Sequence, residues 1–152
     1  MNPNPRITDQ QRTILKTYTQ MMRAADAVTT QMHRHLMDTG LTLSQFGVLE
    51  VLYHKGPLCQ RDIGQKILKT SGNITMVIDN LEKRRLVRRE RDTSDRRIFI
   101  VHLTVEGQKL ICKIFPSHAA LITEELSVLN AADQTILGNL CKKVGMGVYT
   151  RS

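Results

Sequence analysis

The sequence is short of cysteine and has no long apolar run. Its 152 residues include three cysteines, Cys59, Cys112 and Cys141, none in Cys-x-x-Cys spacing, which argues against a disulfide framework and a zinc site. No apolar run approaches the roughly 20 residues of a membrane-spanning helix, and residues 1–12 lack the apolar segment of a signal peptide. We therefore expect a cytoplasmic protein that has no membrane partner.

Patterns typical of enzymes are missing as well. No nucleophile–base pair, no catalytic pair of carboxylates and no glycine-rich phosphate loop is visible in the sequence. The five histidines include no pair at metal-ligand spacing with a carboxylate partner. The sequence therefore predicts a binding protein without a metal or other cofactor, and it disfavours an enzyme.

Basic charge is abundant and unevenly placed. The chain has 22 Lys and Arg against 14 Asp and Glu, a net charge of +8. The segment Lys83–Arg97, KRRLVRRERDTSDRR, alone holds eight basic and three acidic residues. Such a run is often only a solvated surface, but an anionic partner such as nucleic acid would also need this cluster.

The first third of the chain has a helical pattern. Apolar residues recur at steps of three and four over Ile14–Leu36, which predicts a long helix over residues 8–38 with one apolar face. Thr8 and Gln11 fit a capping box at its start, and Gly40 can end it in a left-handed conformation.

Three shorter helices follow. Thr42 and Gln45 fit a second capping box, and Gly56-Pro57 stops that helix. The pattern then predicts two short helices, over residues 60–68 and from residue 70 or 71 to residue 83. The outer face of the last one is small and polar, as a helix that enters the major groove of DNA needs.

After Leu86 the apolar pattern alternates. This period predicts two strands and the turn between them, at residues 87–91, 98–103 and 92–97. Thr104 is placed to cap a further helix that Pro116 kinks or restarts, and Asn130 is placed to cap a last one. The chain is therefore expected to be mainly α, with a helix-turn-helix followed by a β-hairpin wing that carries the basic run.

Three segments resemble one known family. They are LTLSQFGVLEVL at 41–52, SGNITMVIDNLEKRRLVRRERD at 71–92 and DTSDRRIFIVHLTVEG at 92–107, and they resemble the MarR/SlyA winged-helix regulators. The resemblance implies one domain over residues 1–152, with a winged helix-turn-helix lobe at 42–104 and dimerisation helices at 8–38 and 105–149. It implies a homodimeric repressor of a palindromic operator in double-stranded DNA, released by a small phenolic ligand. A further likeness, through SGNITMVIDNLE and KIFPSH, is to the quinone- and catechol-responsive branch.

The resemblance also implies which residues bind DNA. Asp95 and Arg97 match the wing-tip pair in which the acid orients an arginine that enters the minor groove. The predicted DNA-binding set is Thr70, Ser71, Gly72, Asn73, Thr75, Met76, Asn80, Lys83, Arg84, Arg89, Asp95, Arg96 and Arg97. Of Arg88 and Arg89, at most one faces DNA, because they point to opposite sides of a strand.

Asp79 lies on the same helix face and would repel phosphate. Two interpretations stand for it. Asp79 pairs with Lys83 one turn away, or it accepts a hydrogen bond from a cytosine amine.

The effector site and the cysteines are less strongly marked. By resemblance, a ligand pocket would lie between the long helices and the DNA-binding lobe, lined by Met22, Ala25, His33, Met37, Phe46, Tyr53, Ile111 and Phe115. Cys59 stands where the family usually has a capping Ser or Thr. It is interpreted either as a tolerated cap or as a redox sensor whose thiol pKa the helix N-terminus lowers. Cys112 and Cys141 are predicted to be core residues.

The sequence departs from the family pattern at one further position. Arg85 stands where the family commonly has Gly in a left-handed turn, and a non-glycine residue in that conformation costs roughly 1 kcal/mol.

The alternative to a specific regulator is an architectural protein that binds nucleic acid without sequence preference.

Overall fold

A computed structural model describes residues 6–67 and 71–151, without the side chain of Ser71. The helices are α1 (Asp9–Leu36), α2 (Leu43–Lys55), α3 (Gln60–Lys66), α4 (Ser71–Lys83), α5 (Val105–Leu126) and α6 (Ala131–Tyr149), with a short 3-10 helix at Met37–Thr39. The strands are β1 (Leu58–Cys59), β2 (Val87–Arg91) and β3 (Phe99–Leu103). The prediction of a mainly helical fold with a small β wing is confirmed.

Helix ends follow the capping signals of the sequence. The hydroxyl of Thr8 accepts a hydrogen bond from the backbone N–H of Gln11 at 3.1 Å, and the Gln11 side chain accepts one from the Thr8 N–H at 2.8 Å. Thr42 and Gln45 form the same reciprocal pair at 3.1 Å each. Local sequence therefore fixes where α1 and α2 begin.

The sheet has one strand that the alternating pattern did not predict. Three strands pair antiparallel in the order β1-β3-β2. Leu58 pairs with Val101 and Cys59 with Ile100. A strand of two residues is too short to show an alternating pattern, and it forms only because β3 supplies its hydrogen-bond partners.

A kink or a restart of the helix was predicted at Pro116. Helix α5 runs through this residue without a break, so the restart was wrong. A proline inside a helix removes one backbone hydrogen bond. Ile111 and Ile114 are buried on the apolar side of α5 just before Pro116. Their packing against the core stabilises the helix at a position where the local propensity of proline would end it.

The hydrophobic core lies inside the lobe formed by α2, α3, α4, the sheet and the first half of α5. From α1 only the C-terminal end reaches it, through Leu36. Among the described residues, α6 has no buried side chain. The large apolar side chains left exposed in α1 and α6 are Ile14, Leu15, Tyr18, Met21, Met22, Ile136, Leu137, Leu140, Val144 and Val148.

Candidate nucleic-acid interface

Helix α4 has a buried face and an outer face. Ile74, Ile78 and Leu81 are buried in the core, which fixes the rotation of the helix. The opposite side is the outer face of α4, defined here as the exposed residues Gly72, Asn73, Thr75, Met76, Asn80 and Lys83. Six predicted DNA-binding residues therefore share one surface, while Thr70 and the Ser71 side chain lie outside the described residues.

Arg89 does not join that surface. Its guanidinium contacts the carboxylate of Asp79 at 2.6 Å and that of Glu82 at 3.3 Å, and it donates to the Thr75 carbonyl at 3.4 Å. The Arg89 side chain is only 16% exposed. Arg89 thus connects strand β2 to helix α4, whereas the sequence predicts that Arg89 contacts DNA.

The same contacts decide between the interpretations of Asp79. An intramolecular ion pair is present, but its partner is Arg89 and not Lys83. Strand β2 places the guanidinium of Arg89 against α4, and this planar group can bind the carboxylates of both Asp79 and Glu82. The Asp79 carboxylate is therefore already engaged and is poorly placed to accept from cytosine.

Arg84 also has partners within the chain. Its guanidinium donates to the carbonyl oxygens of Gly40 at 2.9 Å and Thr39 at 3.0 Å. These bonds connect the end of α4 to the turn before α2. The geometry favours a structural role for Arg84 over the predicted DNA contact. The neighbouring Arg85 has the predicted left-handed backbone, with a φ of 58°.

The wing tip holds its arginine as the sequence predicted. Asp95 accepts hydrogen bonds from the Arg97 backbone N–H at 3.0 Å, from Nε at 3.1 Å and from Nη2 at 3.0 Å. The bond from the Arg97 side chain is the main cause that lowers the pKa of Asp95, and it raises the pKa of Arg97. Arg97 remains 91% exposed, so its fork is oriented yet free to meet a ligand.

Arg91 supports the wing from behind. It donates to the carbonyl oxygen of Arg96 at 2.7 Å, and its guanidinium lies 4.8 Å from the centre of the Phe99 ring. The Arg96 side chain is exposed. The turn between β2 and β3 therefore presents Arg96 and Arg97 side by side on a braced hairpin.

The predicted effector residues are not gathered in one cavity. Phe46 and Ile111 belong to the hydrophobic core, where they fill space. Tyr53 and Phe115 are neighbours, with ring centres 5.9 Å apart. The other four predicted residues are exposed: Met22, Ala25, His33 and Met37.

A cleft of about 750 Å³ lies between the lobe and α6. Its lining is Glu50, Val51, His54, Lys55, Gln65, Lys66, Cys141, Lys142 and Met146. The lining holds three lysines and a histidine against one glutamate, beside apolar walls. Sequence reasoning missed this cleft because its residues come from α2, α3 and α6, and none is unusual within its own helix.

The three cysteines have different surroundings. Cys59 is half-buried at the start of α3, and its side chain makes no capping hydrogen bond. Cys112 and Cys141 are exposed, so their prediction as core residues was wrong. A hydrogen bond with Cys112 is the main cause that raises the pKa of Tyr53.

Comparison with known proteins identifies this arrangement. The model of the MarR family matches residues 41–99, which contain the helix-turn-helix and the wing up to the start of β3. The HTH-type transcriptional regulator MhqR of Bacillus subtilis is 39% identical over 132 residues, covering 87% of this chain and 91% of MhqR. The chain belongs to the MarR family. It is accordingly a transcriptional regulator, not an enzyme. Helix α4 is the segment that the family resemblance predicts to be the recognition helix.

Solved structures of MarR regulators share the fold. Sco3205 from Streptomyces coelicolor, solved in complex with DNA, aligns with a TM-score of 0.79 and 25% identity, covering 96% of this chain and 92% of that one. BpsR of Bordetella bronchiseptica, whose DNA binding is regulated by 6-hydroxynicotinic acid, aligns with a TM-score of 0.75 and 25% identity, covering 85% and 98%. In the part of this MarR chain that the structure describes, no helix has the length and hydropathy of a membrane span.

The role of Arg89 in this MarR chain can be tested through salt. If Arg89 only holds the recognition helix, Arg89→Met should weaken DNA binding but leave the slope of log affinity against log salt nearly unchanged. Arg96→Ala, which removes an exposed cation, should make that slope shallower by about 1. Filter binding from low to high salt measures both slopes.

The released carboxylate provides the control. Without Arg89, Asp79 is left unpaired next to DNA, so adding Asp79→Asn should restore part of the lost affinity. A slope for Arg89→Met as shallow as that of Arg96→Ala would instead make Arg89 a phosphate ligand, as the sequence predicted.

Proposed function

We propose that the chain is a homodimeric repressor that binds a palindromic operator and is released by a small anionic aromatic ligand. The observation that carries the proposal is the wing tip, where Asp95 orients an Arg97 side chain that is 91% exposed. The same chain also has an outer face of α4 that takes no part in the core. A preorganised arginine of this kind suits the narrow minor groove that flanks a major-groove site. Sco3205 was solved with DNA bound, which supports this use of the fold.

The dimer follows from the long helices. The apolar stripe of α1 is buried at Met32 and Leu36 and continues, exposed, through Ile14, Tyr18 and Met21. Helix α6 has a similar uncovered stripe. Exposed apolar surface of this extent is uncommon on soluble monomers. A second copy of the chain is the occupant we propose, because two copies also supply the two recognition helices that a palindrome needs.

The effector site is the cleft between the lobe and α6. Lys55, Lys66 and Lys142 favour an anion, and the apolar wall that includes Val51 and Met146 favours a ring. An acidic phenol or a hydroxylated aromatic acid combines both features. BpsR, a relative in fold and sequence, responds to 6-hydroxynicotinic acid, which supports this ligand class.

The cleft also suggests how a ligand could release DNA. It lies between the helix-turn-helix lobe and a helix that we assign to the dimer interface. A ligand that binds more tightly when the lobe and α6 have a spacing different from the DNA-bound one lowers the affinity for DNA. DNA then lowers the affinity for the ligand by the same factor.

One experiment tests the regulator function. The protein is used to select fragments from its own genome, and each is compared with random duplex at physiological salt. A specific regulator should prefer its selected operator by at least 10³-fold. Equal binding to random DNA would favour the architectural alternative.

The same operator then tests release and its mechanism. Phenols, quinones and hydroxylated aromatic acids are titrated against the complex, with the native protein and a variant in which Cys59, Cys112 and Cys141 are all Ser. Release of both proteins indicates non-covalent occupancy, which is the expected result. Release of the native protein alone would support the thiol-based alternative centred on Cys59.

A further inference from the structure

The outer face of α4 has an unusual chemical composition for a DNA-reading surface. At 100° per residue, Met76 lies at its centre, and Asn73 and Asn80 lie on one flank. Met76 is 59% exposed. Over the described stretch from Gly72 to Lys83, the only basic residue is Lys83, in the last turn of the helix.

Side chains that recognise guanine or cytosine are scarce or engaged. Guanine is usually read by Arg or Lys, and cytosine by Asp or Glu. Two arginines close to α4, Arg84 and Arg89, are bound to backbone carbonyls and to carboxylates within the chain. Asp79 is the acid beside the face, and Arg89 holds it at 2.6 Å.

The side chains that remain available recognise the other two bases. An asparagine amide can both accept from N6 and donate to N7 of adenine, and an apolar side chain contacts the methyl group of thymine. Asn73 and Asn80 are exposed and are seven residues apart, roughly 10 Å along the helix. That length matches roughly three base-pair steps at 3.4 Å each, with Met76 between the two amides.

We propose that the part of each operator half-site read by α4 consists of A·T base pairs. Asn73 and Asn80 bind adenine, and Met76 packs against a thymine methyl group. The proposal rests on the regulator function proposed above and deepens it, because it states which DNA the recognition helix selects. Lys83, at the end of the helix, contacts a phosphate and contributes no sequence preference.

The test removes single methyl groups from the DNA. In the operator selected from the genome, each thymine is replaced in turn by deoxyuridine, which lacks only the methyl group. With native protein, one position per half-site should lose about fourfold in affinity, the effect expected for losing one buried methyl contact. In Met76→Ala, the same replacement should have no effect, because the contacting side chain is gone.

Matched changes control the interpretation. Val128→Ala also shortens an exposed apolar side chain but lies in the turn after α5, and this variant should keep the full sensitivity to deoxyuridine. Asn80→Ala should lose roughly tenfold or more in affinity and become insensitive to 7-deazaadenine at one position, because that analogue lacks N7. Met76 and Asn80 are both exposed, so neither Met76→Ala nor Asn80→Ala removes a core contact.

The outcomes separate the two proposals. A half-site core of G·C pairs, or native protein that tolerates deoxyuridine at every position, would overturn the A·T proposal and leave the regulator function standing. Equal sensitivity of Met76→Ala and native protein would overturn the role of Met76. If genomic selection yields no preferred sequence, the regulator function itself fails, and the A·T proposal fails with it.

Discussion

Leu140→Glu is expected to convert the protein to a monomer and to lower its affinity for operator by on the order of 100-fold or more. Leu140 lies in the apolar stripe of α6, together with Ile136 and Val144, and its side chain is 56% exposed in the single chain. A carboxylate there would be buried without a partner in a dimer interface, which is strongly unfavourable. In the monomer the same group faces water, so the fold is retained.

The loss of DNA affinity follows from the loss of the second half-site. In a dimer, binding of one recognition helix holds the other close to its own half-site, and such linkage is worth 10²–10⁴-fold. Sedimentation velocity at micromolar protein measures the assembly, and a mobility-shift titration measures the affinity. Circular dichroism confirms that the variant is folded.

A matched variant isolates the effect of position. Asn139→Glu adds a charge to the neighbouring residue, which is exposed on the other side of α6. This variant should stay dimeric and bind operator normally. If Leu140→Glu also remains a dimer with native affinity, α6 does not form the interface and the proposed assembly is wrong.

Local features of the fold were predictable from sequence. The capping boxes at Thr8 and Thr42 depend on side chains three residues apart. The wing-tip contact between Asp95 and Arg97 depends on two residues that are two apart. Spacing alone predicts the capping boxes, whereas the contact between Asp95 and Arg97 was predicted from the family resemblance.

Features that depend on distant segments were not predictable. Arg89 meets Asp79 only because β2 folds back along α4, and the nearer Lys83 looked like the better partner from spacing alone. Arg84 reaches the carbonyls of Thr39 and Gly40, more than 40 residues away in sequence. In both cases an arginine that was predicted to bind DNA has partners within the chain. A basic run alone therefore does not reveal which of its cations have partners within the fold.

These internal arginines have a consequence for recognition. Arg89 connects the sheet to α4, and Arg84 connects the end of α4 to the turn before α2. Helix α4 is thus held on two sides by groups that already have partners within the chain. This bracing suits a helix that presents only neutral side chains over most of its outer face, because hydrogen bonds to base edges require closer positioning than contacts to phosphate.

Gly107→Ala is expected to destabilise the fold by about 3 kcal/mol. A Cβ atom built at Gly107 would lie 2.0 Å from the carbonyl oxygen of Leu86 and 3.2 Å from Cδ2 of Leu103. The first of these atoms is backbone and has no rotamer by which to move aside. The same oxygen accepts a hydrogen bond from the Thr104 N–H at 3.1 Å, so displacing it also disturbs the cap of α5.

The backbone near Gly107 has little freedom to relax. Arg85, just before Leu86, is already in the left-handed region, and its carbonyl accepts a bond from the Thr104 hydroxyl at 2.7 Å. Relief of the clash must move α5 away from the turn between α4 and β2. Overpacking of this kind costs 1–3 kcal/mol and sometimes more, and we expect the upper end because the clash is with backbone.

Thermal and urea unfolding at fixed protein concentration measure this cost. A loss of about 3 kcal/mol should lower Tm by roughly 6–12 °C in a chain of this length. Gly138→Ala is the control, because a Cβ there meets no atom within 4 Å and alanine favours helix by about 1 kcal/mol over glycine. The two Gly→Ala changes should therefore shift Tm in opposite directions. If Gly107→Ala melts at or above the native temperature, α5 is not packed this tightly against the turn at Leu86.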